Sequence, residues 1–257
     1  MKSSSNNNRF YDQLAPVYHL KVDWQNRNSK ENRLFEFLTK TLKPSSVLDI
    51  GCGDGGHAER YAAAGVQYHG IDKSPVMIRA AKQEHSQSSG VSFSIGDMTK
   101  LPVSFTGRFD QIVILGNTLP HLTTIAGLKH AISGIGRSLS AGGHLIMQTV
   151  NPGALANKSV HLLPPKLAQG TLFTPFYVNR GKCWEFVMPI YKMVNEAIAT
   201  ESAAMTMLRF WTREELAAIG KSYKFELRQS FGDGGLGVYK PGSSSNLILV
   251  FRKNVNA

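Results

Sequence analysis

The chain holds only two cysteines, Cys52 and Cys183, in 257 residues. That is too few for a disulfide framework, and the pair is too isolated for a zinc site. No metal site is expected, and the usage suits a reducing, cytoplasmic setting. No stretch approaches 18 uninterrupted apolar residues, so no helical membrane span is expected. The opening "MKSSSNNNRF" also lacks an apolar run and reads as a disordered lead rather than a signal peptide. Acids are scarce: 18 Asp+Glu stand against 29 Lys+Arg, a net charge of +11. Such an excess points to nucleic acid until it is located. Residues 47–150 hold 8 basic against 7 acidic residues, whereas 1–46 hold 8 against 4 and 151–257 hold 13 against 7. The surplus is scattered singly, without an Arg/Lys run interleaved with aromatics. It reads as a solvated surface, with an anionic substrate or partner as the alternative.

What the chain does have is enough apolar content, 42% of its residues, to bury one substantial core. Strand-like runs alternate with helical patterns at spacings suited to strand-helix-strand units, the signature of an α/β sheet with a mostly parallel core. The expected strands are "SVLDI" (46–50), "VQYHGI" (66–71), "VSFSI" (91–95), "FDQIVIL" (109–115) and "HLIMQTV" (144–150). Helices are expected near 56–64, 74–85 and 126–139. An amphipathic helix over 30–42 places Leu34, Phe35, Leu38 and Leu42 at helical spacing. After Val150 the rhythm breaks. Residues 151–170 read as loop or short helix, and 171–210 as two or three antiparallel strands. The pattern resumes with "WTREELAAIG", capped by Thr212 with Glu215 completing a capping box. The strands "FELRQSF" and "NLILVF" close the chain, joined by the loop 232–246.

The stretch "VLDIGCGDGG" (47–56) leads a strand into a glycine loop, yet ends the strand on an acid. A phosphate-binding loop would be repelled by Asp49. Acids recur at the ends of the next two strands, Asp72 in "HGIDKS" and Asp97 in "IGDM". All three carboxylates share one sheet edge, where ligands of parallel sheets bind. Asp72 suits the hydroxyls of a ribose, Asp97 can accept from an adenine amino group, and Asp49 favours a cation. S-adenosylmethionine, with adenine, ribose, a positive tail and no phosphate, meets all three demands.

The blocks "VLDIGCGDGGHAERYAAAGVQYHGIDKSPVMIRAAK", "IGDMTKLP", "FDQIVILGNTLPHL" and "LSAGGHLIM" resemble, in order and spacing, the motifs of class I S-adenosylmethionine-dependent methyltransferases. Within that class, "FYDQLAPVYHLKVDW" and "LGNTLPHL" are similar to small-molecule enzymes of the glycine/sarcosine N-methyltransferase type. The resemblance implies a Rossmann-like seven-stranded, mostly parallel sheet with helices on both faces, plus a small antiparallel β cap inserted after the fifth strand. It divides the chain into an N-terminal arm and helix acting as a lid (1–46), a cofactor-binding core (47–150), an inserted cap (151–210) and a return to the core sheet (211–257). Carried over, it sets Gly51, Cys52 and Gly53 against the methionine part of the cofactor. Asp72 and Lys73 fall at the ribose, Met77 on the adenine face, and Asp97 and Met98 at the adenine edge. Leu115, Gly116 and Asn117 fall under the sulfonium, and Tyr11, Tyr18 and Trp24 form the aromatic part of the lid. Tyr18, Asn117 and His121 become the catalytic candidates. His121, Asn151, Tyr177, Arg180 and Arg209 are the substrate-binding candidates, while His57 and Cys183 read as structural.

The sequence departs from glycine-methylating members at Val150, where they carry an arginine that clamps the substrate carboxylate. Glycine is therefore not the expected acceptor. An amine acceptor is favoured, because a free amine needs no strong base. A hydroxyl would need one, and His121 is the only histidine in these loops. Two other classes are weighed. Enzymes that methylate base amino groups often carry an Asn/Asp-Pro-Pro-aromatic loop where "GNTLPH" stands, which disfavours a nucleic-acid substrate, and a binding module without turnover is disfavoured by the intact motifs.

Overall fold

The computed structural model describes residues 10–195 and 197–255. The polar lead at 1–9 lies outside them. Phe10, read above as the last residue of that lead, is instead 2% exposed in an apolar cluster. The first five strands are β1 (Ser46–Ile50), β2 (Gln67–Asp72), β3 (Val91–Ile95), β4 (Phe109–Ile114) and β5 (Leu139–Val150). β5 starts five residues before the expected run, directly where the helix Ile125–Ser138 ends.

The insertion holds more strands than its composition indicated. β6 (Val160–Leu162), β7 (Lys166–Ala168), β8 (Thr171–Phe173), β9 (Phe176–Arg180), β10 (Cys183–Val194) and β11 (Ala197–Leu208) form a separate antiparallel sheet. Residues 151–170, read as loop or short helix, contain a short helical turn at Pro152–Leu155 but also β6 and β7. Strands of three residues carry too little periodicity to be seen in sequence. The chain closes with β12 (Phe225–Phe231) and β13 (Asn246–Lys253).

The main sheet runs β12-β13-β5-β4-β1-β2-β3. β1 to β5 pair in parallel, while β13 is antiparallel to both β5 and β12. Alternation along β4 shows the layering. Ile112 and Ile114 belong to one core cluster with Leu128, Ile132 and Leu216, whereas Val113 belongs to the other with Leu34, Tyr61 and Ile78. Each face is thus covered by helices, which is why the central strands are apolar on both sides. Gln111, wholly buried in β4, accepts from the Tyr61 hydroxyl and donates to the Leu38 carbonyl, so its burial leaves no unpaired group.

The helix expected over 30–42 is broken. An α-helix over Trp24–Lys30 precedes a second over Asn32–Glu36, which passes into a wider π turn at Phe37–Thr41. Leu34, Phe35 and Leu38 face the core as their spacing predicted. The Thr212–Glu215 capping box forms with both reciprocal bonds present. Among the described residues no helix is long and apolar enough to cross a membrane. Strand order reverses between β1 and β4, so a crevice opens beyond their carboxyl ends.

Candidate active site

That crevice is a pocket of about 280 Å³. The chain reaches it from four directions: the loop after β1, the ends of β2 and β3, the turn after β4, and the N-terminal arm. Left-handed backbone at Gly51 and Gly53 makes the first loop fold back on itself. A side chain at Gly51 would collide with Thr118, and one at Gly56 with the Trp24 ring, so both glycines permit close contacts of the loop. The Gly51 and Cys52 amides donate to the Ile71 carbonyl at 2.7 and 3.1 Å. Asp72 then accepts from the Gly53 amide at 3.0 Å and the Ser74 amide at 2.8 Å. Its carboxyl is raised by burial, only partly offset by these two amides. Ser74 caps the helix Pro75–Glu84 and donates its hydroxyl to Asp12, tying the arm to β2.

At the end of β3, Asp97 accepts from the Thr99 amide and hydroxyl and pairs with Lys73 at 3.3 Å. Burial pushes its carboxyl up, but Thr99 and Lys73 outweigh burial and hold it below the usual range. At the other end, the Tyr11 hydroxyl meets His121 Nε2 at 3.0 Å. Burial lowers the His121 pKa to about 4, so the imidazole is neutral near pH 7. Its Nδ1 is buried without a partner among the described residues. Tyr11 and Tyr18 are both held protonated by burial.

Thirteen of the residues picked out from sequence line this pocket: Tyr11, Tyr18, Trp24, Gly51, Cys52, Gly53, Asp72, Lys73, Asp97, Met98, Leu115, Gly116 and His121. The others are placed elsewhere. Asp49, expected to face a cation, is 1% exposed and is engaged by the Tyr68 hydroxyl at 2.9 Å and His57 Nδ1 at 3.2 Å. Met77 is buried and does not line the pocket. Asn117 takes a left-handed conformation, accepts from the Val150 amide at 2.8 Å, and leaves the lining to Thr118. Asn151 is fully buried and staples the loop 232–246 through the Pro241 and Ser244 carbonyls and the Tyr239 hydroxyl. Tyr177 packs on Phe186 and Phe210 in the core of the cap, with burial pushing its pKa up to about 12.

Neither arginine of the cap is free. Arg180 is paired with Glu185, and Arg209 with Glu215 at 2.7 Å while stacking 3.7 Å over Trp211. Among the described residues, none of 151–210 lines the pocket. The cap acts on the pocket at one remove: Phe173, Met188 and Ile190 pack against Phe10 and Leu14, on either side of Tyr11.

Arg27 is the principal lining residue the sequence reading missed. Its guanidinium lies 4.8 Å from the Trp24 ring and against Gly116. Nε donates to Glu31 at 3.1 Å, whereas Nη2 is buried with no partner among the described residues. Glu31 also faces His57 at 3.6 Å, and its carboxyl, although raised by burial, is drawn down by His57 and Arg27. Only the helical spacing of Trp24 and Arg27 could have signalled this, and no helix was expected there. His57, read as structural, lines the pocket while bridging Asp49 and Glu31.

Residues 47–143 match the family described as a methyltransferase domain. That match spans less than half of the chain, and the seven-stranded order and the glycine loop at the switch point agree with it. The matched core has the features of a class I methyltransferase domain. Relatives divide over the acceptor atom. A ubiquinone biosynthesis O-methyltransferase of Xanthomonas axonopodis pv. citri is 31% identical over 127 residues, 47% of this chain and 51% of that protein. A glycine/sarcosine N-methyltransferase of Parasynechococcus marenigrum is 30% identical over 131 residues, 51% of this chain and 46% of that one. The chain thus spans about half the length of the curated relatives it matches. Among solved structures, the CcbJ methyltransferase from Streptomyces caelestis superposes with a TM-score of 0.82 at 19% identity, covering 95% of this chain and 98% of its own. The methyltransferase fold therefore includes the antiparallel insertion as well as the core sheet.

Proposed function

We propose that the protein transfers a methyl group from S-adenosylmethionine to a small-molecule acceptor, and that the acceptor atom is an amine nitrogen. Bound S-adenosylmethionine supplies a methyl already activated on a sulfonium. The lining residues suit that molecule. Asp72 offers acceptors at the end of β2, and the Gly51–Gly53 loop allows backbone approach. Arg27 has a buried, unpaired nitrogen for a carboxylate. Phosphates find no cradle: Lys73, the lysine of the lining, is paired with Asp97.

The observation that carries the choice of nitrogen is the state of His121. A hydroxyl acceptor has to lose its proton to a base poised near the working pH. His121 is instead held down to about 4, with Nε2 on the Tyr11 hydroxyl. A free amine needs only orientation and exclusion of water. Tyr11, Tyr18 and Trp24 close the pocket from the arm, and Leu122 with His121 gives its acceptor end a mixed apolar and hydrogen-bonding wall.

The test is incubation with methyl-labelled cofactor and a metabolite extract, followed by identification of the labelled product. Label on an amine nitrogen supports the reading. Label on oxygen overturns the choice of atom, and label in RNA or DNA overturns the small-molecule class.

A further inference from the structure

The cap sheet has one face too many. Its inward residues, among them Trp184, Met188, Ala204 and Leu208, are buried against the arm and the cap core. An antiparallel sheet with one covered face ordinarily turns polar side chains outward. Here the outward side chains are apolar in register. Leu162 on β6, Phe176 on β9, Val187 on β10 and Met205 on β11 are consecutive cross-strand neighbours, forming one uninterrupted row over four strands. The adjacent row runs Val160, Val178, Glu185, Met207. Beyond the first row, Tyr191 continues the surface through Leu172 to Leu167 on β7. Leu162, Leu167 and Met205 are 74%, 66% and 54% exposed.

We propose that this outward face is the interface of a homodimer, with two copies packed sheet on sheet about a twofold axis. Size agrees. With four strands about 4.8 Å apart and rows from Glu185 to Tyr191 about 6.8 Å apart, the face covers roughly 500 Å² per copy, or roughly 1,000 Å² in all, the size at which a specific interface begins. Shape agrees as well. A broad sheet face is self-complementary in an isologous contact, and stacked sheets pack side chain into side chain at about 10 Å.

Charge selects the occupant. A chain of net charge +11 repels its own copy, so a dimer must use a surface that carries little of that charge. The rows contain no lysine or arginine. Glu185 is neutralised by Arg180 beside it, and Glu201 sits at the rim opposite Tyr191. The same composition disfavours an anionic bilayer, which basic residues around an apolar patch would attract. Pairing would also support the long β10–β11 hairpin, whose distal part leaves β11 exposed.

Sedimentation velocity of the full chain over the micromolar range tests this directly. The wild type is expected to be dimeric. Val187→Glu combined with Met205→Glu should weaken dimerisation a hundredfold or more, because each buries an unpaired charge at the contact. Val103→Glu, at a position 81% exposed on the core and remote from these rows, should leave it unchanged. Peroxide oxidation gives a second readout that needs no variant: Met205 and Met207 should be protected as protein concentration rises through the dimerisation range. A wild type that stays monomeric, a dimer indifferent to the double substitution, or methionines oxidised at the same rate at every concentration would each overturn the proposal. So would a monomer that co-sediments with phosphatidylglycerol vesicles, which would give the face to a membrane.

Discussion

The Tyr11 hydroxyl and Nε2 of His121 stand 3.0 Å apart across 110 residues of sequence. The contact joins the N-terminal arm to the turn after β4 and puts both side chains on the pocket wall. It also defines what His121 can do: a neutral imidazole with a pKa near 4 orients, but is a poor proton acceptor. For an amine acceptor, His121→Ala should lower kcat by about tenfold or less. The rate at low substrate should climb with pH toward the amine's own pKa in both proteins. General-base catalysis is typically worth about 10²- to 10⁴-fold. A thousandfold loss in the variant, with a wild-type profile bending at a group the variant lacks, would convert the assignment to O-methylation.

The same burial has a consequence for stability. Folded His121 takes up a proton only near pH 4, whereas the unfolded residue does so near 6.5. Between these values the unfolded chain binds more protons. The contribution is therefore complete above pH 6.5 and is lost as pH falls toward 4, by roughly 2 to 3 kcal/mol over the window. His121→Phe removes the titration. In thermal melts across this window the wild-type Tm should fall more steeply than the variant's as pH drops, and parallel curves would remove His121 from the acid response.

Asp72 has two tasks, and its substitutions separate them. Its carboxylate holds the Gly53 and Ser74 amides, and in the proposed complex it accepts from the ribose. Charge-assisted bonds of this kind contribute about 1.5 to 3 kcal/mol each. Asp72→Ala should therefore weaken S-adenosylmethionine and its demethylated product tenfold or more and also lower Tm. Asp72→Asn keeps one oxygen acceptor and should recover part of the Tm but little of the affinity. Calorimetry decides, and unchanged affinity in the alanine variant would take Asp72 out of the site.

Sequence periodicity made the core sheet legible because its strands are long, apolar and separated by amphipathic helices. The pocket was legible for a different reason. Asp72, Asp97 and Gly51 lie within a few residues of strand ends, and topology brings strand ends together. The failures share a cause. Arg180, Arg209, Tyr177 and Asn151 are chemically suited to ligands, but their neighbours consume them, and a sequence does not show that Glu185 and Glu215 stand beside the two arginines. Arg27 was missed by the converse fault, since its free nitrogen depends on how the arm folds over Gly116.

Four of the substrate-binding candidates, Asn151, Tyr177, Arg180 and Arg209, come from the cap, yet its aromatic residues Phe173, Tyr177, Trp184, Phe186 and Phe210 form its own core and the seat of the arm. Truncating Phe173, fully buried against Phe10 and Leu14, should loosen Tyr11 and Tyr18 without touching the pocket wall. Phe173→Ala should raise KM for cofactor and acceptor together while leaving the ranking of acceptors unchanged. A variant with reordered acceptor preference would return substrate selection to the cap.

Arg27 offers the sharpest test of how the cofactor lies. Glu31 holds Nε, Trp24 stacks beside the guanidinium, and Nη2 is left buried and unpaired near Gly116. A carboxylate in the pocket would complete that hydrogen-bonding set. Loss of such a bond costs about 1.5 to 3 kcal/mol, or roughly tenfold to 150-fold in affinity. Arg27→Ala should therefore weaken S-adenosylhomocysteine by that factor, yet leave methylthioadenosine, which has no amino-acid tail, nearly unaffected. Arg27→Lys should restore little, because an ammonium does not reproduce the planar fork that meets Glu31 and a ligand at once. Glu31→Gln should fall between, since it keeps an acceptor for Nε but gives up the charge that fixes the guanidinium. Equal losses for both nucleosides in Arg27→Ala would mean that Arg27 only props Trp24 against the loop, and the carboxylate would have to be assigned elsewhere.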